Sequence, residues 1–120
     1  MPGTDSSDPV LKRFRKALDG LYGDRIECVV LFGSRARGEA GAQSDYDVAV
    51  FLKELPDRWR ELRRLADLRV DFLDETGAFF DVKPYPIAAW RDKTPLMYEI
   101  RRDGFDLRGR NRRSLSSRRI

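Results

Sequence analysis

A chain of 120 residues, 41% of them hydrophobic, is sized for one domain with one core, which excludes a multi-domain machine. A single cysteine and the absence of histidine exclude an internal disulfide framework, a Cys/His zinc site and histidine acid–base catalysis. Acid–base or metal chemistry must then use the 20 carboxylates, hard oxygen ligands that favour magnesium or manganese.

The formal charge of +4 is uneven, because residues 101–120 hold eight arginines and two aspartates. The basic balance therefore belongs to a C-terminal tail on a nearly neutral body. Apolar runs fall far short of the roughly 20 residues of a membrane span. The N-terminus carries neither the basic start nor the apolar stretch of a secretory signal. The expectation is a cytoplasmic protein with no membrane segment.

Asp8 followed by Pro9 opens a helix, with Val10, Leu11, Phe14, Leu18 and Leu21 at helical spacing and Gly20 and Gly23 marking its end. Residues 26–32, rich in β-branched and aromatic side chains, read as a buried strand running into Gly33. A loop over residues 38–44 leads to a second strand at 46–52. Pro56 and Asp57 start a long helix, with Trp59, Leu62, Ala66 and Leu73 as its apolar side and Gly77 as its stop. A short third strand at 79–82 is expected to be halted by Pro84 and Pro86. Thr94 and Pro95 cap a last helix through Leu96, Met97 and Ile100, ending near Gly104. Residues 108–120 have only Leu115 and Ile120 as large apolar side chains and are expected to be disordered in the isolated chain.

The chemistry concentrates between Gly33 and Asp47. A Gly-Ser pair at a strand end, Gly33 and Ser34, lets backbone N–H groups and a small hydroxyl approach a phosphate. Arg35 and Arg37 add positive charge beside it. Asp45 and Asp47 are two apart at the entry to a strand, so both carboxylates point to one face and Tyr46 to the other. Two ionised carboxylates about 5 Å apart repel by roughly 3 kcal/mol at an effective dielectric of 20, and a divalent cation reverses that sign. A third carboxylate from another strand completes a two-metal site. Asp81, between Phe80 and Val82, is the preferred candidate, with Asp71 and Asp74 competing from a helix where they are expected to face solvent.

Gly33-Ser34, ten intervening residues and then Asp45-Tyr46-Asp47 make the chain resemble the minimal nucleotidyltransferases of the DNA polymerase β-like superfamily. The resemblance runs from the first helix to about residue 107, and the segment 94–107 looks like the family's closing helix and final short strand. It implies an α/β fold, a short mixed sheet with helices packed mainly on one face. It also implies that Gly33 and Ser34, helped by Arg35 and Arg37, hold the triphosphate of ATP. Asp45, Asp47 and Asp81 would bind two Mg²⁺ ions, with Asp81 a candidate general base. The reaction so implied is attack of a hydroxyl on the α-phosphate with release of pyrophosphate. Many short members resemble antitoxins that silence a partner toxin of the HEPN class by adding AMP to a tyrosine.

Two other functions fit the same residues: a non-catalytic antitoxin that acts by tight binding, and transfer of a nucleotide to a small molecule, which usually needs a further substrate domain. Homo-oligomerisation is open. The arginine tail reads as a solvated extension, an RNA-binding arm or a segment for an acidic partner. Ser34 could merely cap a turn, Arg35 and Arg37 could be surface charges, and Gly38 and Gly41 ordinary loop residues. Cys28 is expected to be a buried, inert thiol, Trp59 and Trp90 packing residues, and Arg63, Arg64 and Arg69 the wet face of their helix.

Overall fold

A computed structural model describes residues 8–38 and 45–107; most of the expected 38–44 loop and the whole 108–120 tail lie outside them. Helix α1, Pro9–Tyr22, starts where expected. The Asp8 carboxylate accepts hydrogen bonds from the backbone N–H groups of Val10 and Leu11 at 2.9 and 3.2 Å, and Pro9 has no N–H to leave unpaired. Leu11, Phe14, Leu18 and Tyr22 form its buried stripe. A single 3₁₀ turn, Gly23–Arg25, leads into strand β1, Ile26–Phe32. A short helix α2, Gly33–Ala36, follows, then strand β2, Tyr46–Leu52. Helix α3, Arg58–Thr76, is capped by Asp57 and closed by Gly77, whose left-handed φ of 75° lets its N–H reach the Leu73 carbonyl at 2.9 Å. Strand β3, Phe80–Pro86, a 3₁₀ segment Ile87–Arg91, helix α4, Pro95–Asp103, and strand β4, Phe105–Asp106, complete the order.

The four strands lie in the order β3-β2-β1-β4. β1 pairs antiparallel with β2 and β4, while β2 and β3 run parallel, joined by α3 as the crossover. The sheet is therefore mixed, as the resemblance implies. Alternation divides the side chains. Tyr46, Val48, Val50 and Leu52 of β2 face the larger core under α1 and α3, whereas Ala49 and Phe51 face a smaller cluster under α4 with Cys28, Val30 and Trp90. Cys28 is fully buried there. At the centre of the larger core Phe14 stacks on Phe80 at 3.9 Å and meets Phe72 edge-on at 5.1 Å.

Two expectations are corrected. The third strand does not stop at residue 82 but continues to Pro86, because β3 is an edge strand bonded only to β2 and can carry prolines whose missing N–H costs no ladder bond. The buried face of α3 is not Trp59, Leu62, Ala66 and Leu73 but Glu61, Leu65 and Phe72, with Leu68 packed against the same core. Trp59 is 74% exposed. Glu61 can sit inside because Arg25 and Arg64 reach its two oxygens at 3.1 and 3.3 Å. Truncating Phe14 to alanine removes the ring on which Phe72 and Phe80 converge, and urea unfolding should show a loss of about 3–5 kcal/mol. Asp8→Ala, which strips a helix cap, should cost about 1 kcal/mol in the same assay.

Candidate active site

β1 and β2 end together at one edge of the core, with Phe32 opposite Asp47. The parallel pairing of β2 with β3 puts Asp47 level with Asp81. Neighbouring strands lie about 4.8 Å apart, so these two half-buried carboxylates are side by side. Asp45 lies just before β2, exposed, two residues from Asp47 and on the same face. Lys83, two residues past Asp81 on β3, brings its Nζ to 3.7 Å from Asp81 Oδ2.

Gly33 meets this cluster from β1. Its φ is 79°, and a Cβ built on it would collide with Asp47 Oδ2 and stand 3.2 Å from Asp47 Cγ. Only a glycine satisfies both the left-handed backbone and this close approach. The Asp47 carboxyl is pushed above the usual carboxylate range, first by burial, then by the negative charges of Asp81, Asp45 and Glu99; Lys83 opposes them in part.

Ser34 follows Gly33 in the first turn of α2 and is half-buried. The two arginines part company. Arg35 lays its guanidinium over the Tyr46 ring, 3.9 Å from the centroid, and that ring is stacked on Phe80 at 4.5 Å on the α1 side of the sheet. The Tyr46 hydroxyl donates to Asp8 Oδ2 at 3.0 Å; burial and this carboxylate raise its pKa to about 12. Arg37 pairs with Glu99 of α4 at 3.1 Å and stands 3.9 Å from Asp103. The structure thus brings Gly33, Asp47 and Asp81 together with Asp45 adjacent, and places Arg35 against Tyr46 and Arg37 at the α2–α4 junction. Asp71 and Asp74 are exposed on α3.

Sequence reading missed two charged residues beside the site. Lys83 carried a signal, since a residue two past Asp81 in a strand shares its face. Glu99 carried none, because only the docking of α4 on β1 and α2 brings it near. A cleft of about 440 Å³ bounded by Arg25, Lys53, Asp57 and Glu61 lies at the opposite end of the sheet and touches none of these residues.

The donor set suits a hard divalent cation: oxygen ligands only, two of them at one register and held in mutual repulsion. Among the described residues no group of three His, Cys, Asp or Glu side chains is placed to hold a metal ion.

The sequence matches the family described as "Polymerase beta, Nucleotidyltransferase" over residues 19–113. The chain belongs to this nucleotidyltransferase family. Among curated relatives it is 40% identical over 47 residues to "Putative protein adenylyltransferase MJ0141" of Methanocaldococcus jannaschii, covering 39% of this chain and 48% of that protein. It is 35% identical over 69 residues to "Putative protein adenylyltransferase MJ1305" of the same organism, covering 57% and 47%. The chain spans about half the length of the curated relatives it matches. Its fold is similar to that in a crystal structure of a toxin-antitoxin with AMP-PNP, with a TM-score of 0.56 and 21% identity over 88% of this chain and 81% of that one. A mutant of the toxin-antitoxin MntA-HpeT gives a TM-score of 0.55 and 18% identity over 88% and 80%. At these identities the likeness shows a shared fold, which the family match identifies as the polymerase β-like nucleotidyltransferase fold. Among the described residues no helix is long and apolar enough to cross a membrane.

Because burial and the neighbouring carboxylates raise the Asp47 carboxyl, the charged form is a cost to the fold at neutral pH. The folded protein favours the proton more than the unfolded chain does, so this group supports stability at low pH and withdraws that support as pH rises through its folded pKa. Asp47→Asn, neutral at all pH values, should therefore melt higher than wild type at pH 7 without divalent cations. The gap should close once the pH drops below the carboxylate range, as followed by thermal unfolding at several pH values.

Proposed function

We propose that the protein is a Mg²⁺-dependent nucleotidyltransferase that moves AMP from ATP to a hydroxyl group, and that the acceptor is a tyrosine of a HEPN-type partner toxin, which it silences as an antitoxin. The observation that carries this reading is the meeting of Gly33 with the paired carboxylates Asp47 and Asp81. Gly33, which has no side chain and is pressed against Asp47, opens the turn whose backbone N–H groups would receive a phosphate, next to a carboxylate pair that a divalent cation would relieve. Family membership supports the reaction class. The names of the relatives support a protein as acceptor, and the toxin-antitoxin structures, one with AMP-PNP, support a toxin as partner and an adenine nucleotide as donor.

In this reading the backbone around Gly33 and Ser34 receives the triphosphate. Asp45, Asp47 and Asp81 would hold the metal ions, which would supply activation of the attacking hydroxyl and neutralisation of charge on the leaving oxygen. Asp81 would take the proton. The acceptor oxygen bonds to the α-phosphorus, the bond from that phosphorus to the bridging oxygen breaks, and pyrophosphate carries away the electron pair. Lys83 steadies Asp81 at 3.7 Å and moderates the repulsion felt by Asp47. Arg37, tied to Glu99, anchors α2 to α4 and so holds the Gly33 turn in place.

The partner toxin, incubated with this chain, ATP and Mg²⁺, should gain mass in whole AMP units. Asp45→Asn and Asp47→Asn should abolish the gain while leaving the circular dichroism spectrum unchanged; transfer retained by either variant would refute the assigned site. A partner silenced in a stoichiometric complex, without added mass and without ATP, would point instead to an antitoxin that acts by binding.

A further inference from the structure

The side of α3 that faces away from the core is itself apolar. Trp59, Leu62, Ala66, Val70 and Leu73 recur at spacings of three and four, one stripe about 21 Å long at 1.5 Å rise per residue. Trp59 is 74%, Val70 56% and Leu73 44% exposed. The helix thus has two apolar stripes, one buried in the larger core and one bare.

Its charges run against its own dipole. Arg58, Arg60, Arg63 and Arg64 occupy the first half, with the buried Glu61 as its one acid, and Asp67, Asp71, Asp74 and Glu75 the second, with Arg69 as its one base, whereas a helix favours acidic residues at its N-terminus and basic ones at its C-terminus. Part of this has a use within the chain. Arg58 donates to the Pro84 carbonyl, Arg64 to Glu61 and the Leu21 carbonyl, and Arg13 pairs with Glu75. Arg60, Arg63, Asp67, Asp71 and Asp74 remain, flanking the bare stripe, and none of them forms a side-chain ion pair among the described residues.

These two features are complementary to themselves. A two-fold axis passing beside Ala66 sets a second α3 antiparallel to the first, with Trp59 of one copy across from Leu73 of the other and Leu62 across from Val70. The same operation brings the basic flank, Arg60 and Arg63, against the acidic flank, Asp67, Asp71 and Asp74, twice over. The small Ala66 side chain at the centre lets the two backbones approach, and opposed helix dipoles add to the attraction. We propose that the exposed face of α3 is a self-association surface whose occupant is a second copy of this chain, paired antiparallel through this stripe.

A stripe of this length covers on the order of half of the ~800 Å² per partner of a standard interface, so the dimer is weak, reversible and sensitive to salt. The C-terminal end of α3 lies at the site end of the sheet, where the backbone N–H of Tyr46 bonds to the Phe79 carbonyl. Antiparallel pairing therefore sends the two Asp47 clusters to opposite ends of the dimer and leaves both open.

The test is sedimentation velocity of the full chain over a concentration series reaching several hundred micromolar. Wild type should show a monomer–dimer equilibrium. R60E/R63E and D71R/D74R should each weaken it by about tenfold or more, and an equimolar mixture of the two should restore it. Both double variants place charge as the helix dipole prefers, so their melting temperatures in dilute solution should match or exceed that of wild type, which separates lost association from lost folding. W59A should weaken the dimer as well. A chain that stays monomeric throughout, a dimer indifferent to both reversals, or a mixture that fails to recover would overturn the proposal. The first of these outcomes, with the partner toxin protecting Trp59 from solvent, would assign the face to that toxin instead.

Discussion

Asp47 lies over the backbone of Gly33, and the position of everything else in the site follows from what makes that contact possible. Phe32 pairs with Asp47 across β1 and β2, so Gly33, the residue that follows β1, turns against the carboxylate and has room for nothing beyond a hydrogen. The parallel register with β3 then fixes Asp81 beside Asp47. Because side chains alternate along a strand, a slip of one residue would swing Asp47 into the core under α1 and α3 and bring Tyr46 out. That slip is resisted from both sides: Tyr46 is stacked on Phe80 and bonded to Asp8, while Ala49 and Phe51 are buried under α4. The core thus sets the register, and the register assembles the carboxylates.

The assembled cluster is electrostatically uncomfortable by construction. Burial and three neighbouring carboxylates all act against the charged form of Asp47, and in a structure selected for stability alone such a cluster would be diluted or neutralised. Its compensations are partial and peripheral. Lys83 stands by Asp81 on an exposed strand edge, and Arg37 pairs with Glu99 rather than with the cluster itself. What remains is a carboxylate cluster whose repulsion a bound cation would relieve.

Much of this was legible in the sequence because the signals were local. Residues 26–32 and 46–52 are apolar apart from Glu27 and Asp47, are bounded by Gly33 and Asp45, and fold as β1 and β2 with those limits. Asp8-Pro9, Asp57 and Thr94-Pro95 cap the helices they announce. The spacing of Gly33-Ser34 from Asp45 and Asp47 pointed to residues that the fold does bring together, Gly33 against Asp47, and Asp81, sought on a strand, lies level with Asp47. Tertiary features were not legible. Arg35 sits near Tyr46 only because Tyr46 faces away from Asp47, Glu99 depends on the docking of α4, and Pro84 and Pro86 remain in a strand because β3 happens to be at the edge.

The misread face of α3 has a different cause. Periodicity identifies an apolar stripe but not what covers it, and α3 carries two stripes roughly a third of a turn apart. Trp59, Leu62, Ala66 and Leu73 make the cleaner pattern, while the stripe that is buried contains Glu61, tolerated only because Arg25 and Arg64 converge on it from outside the helix. A helix that buries its less apolar pattern and exposes the better one is at odds with the folding of a solitary chain, as is its reversed charge order. Both oddities disappear when the helix is considered with an antiparallel copy of itself, since apolar faces then meet and opposite charges fall together. The same sequence that encodes the register around Asp47 on one side of the sheet thus encodes, on the outer side of α3, a surface whose logic is completed by another molecule.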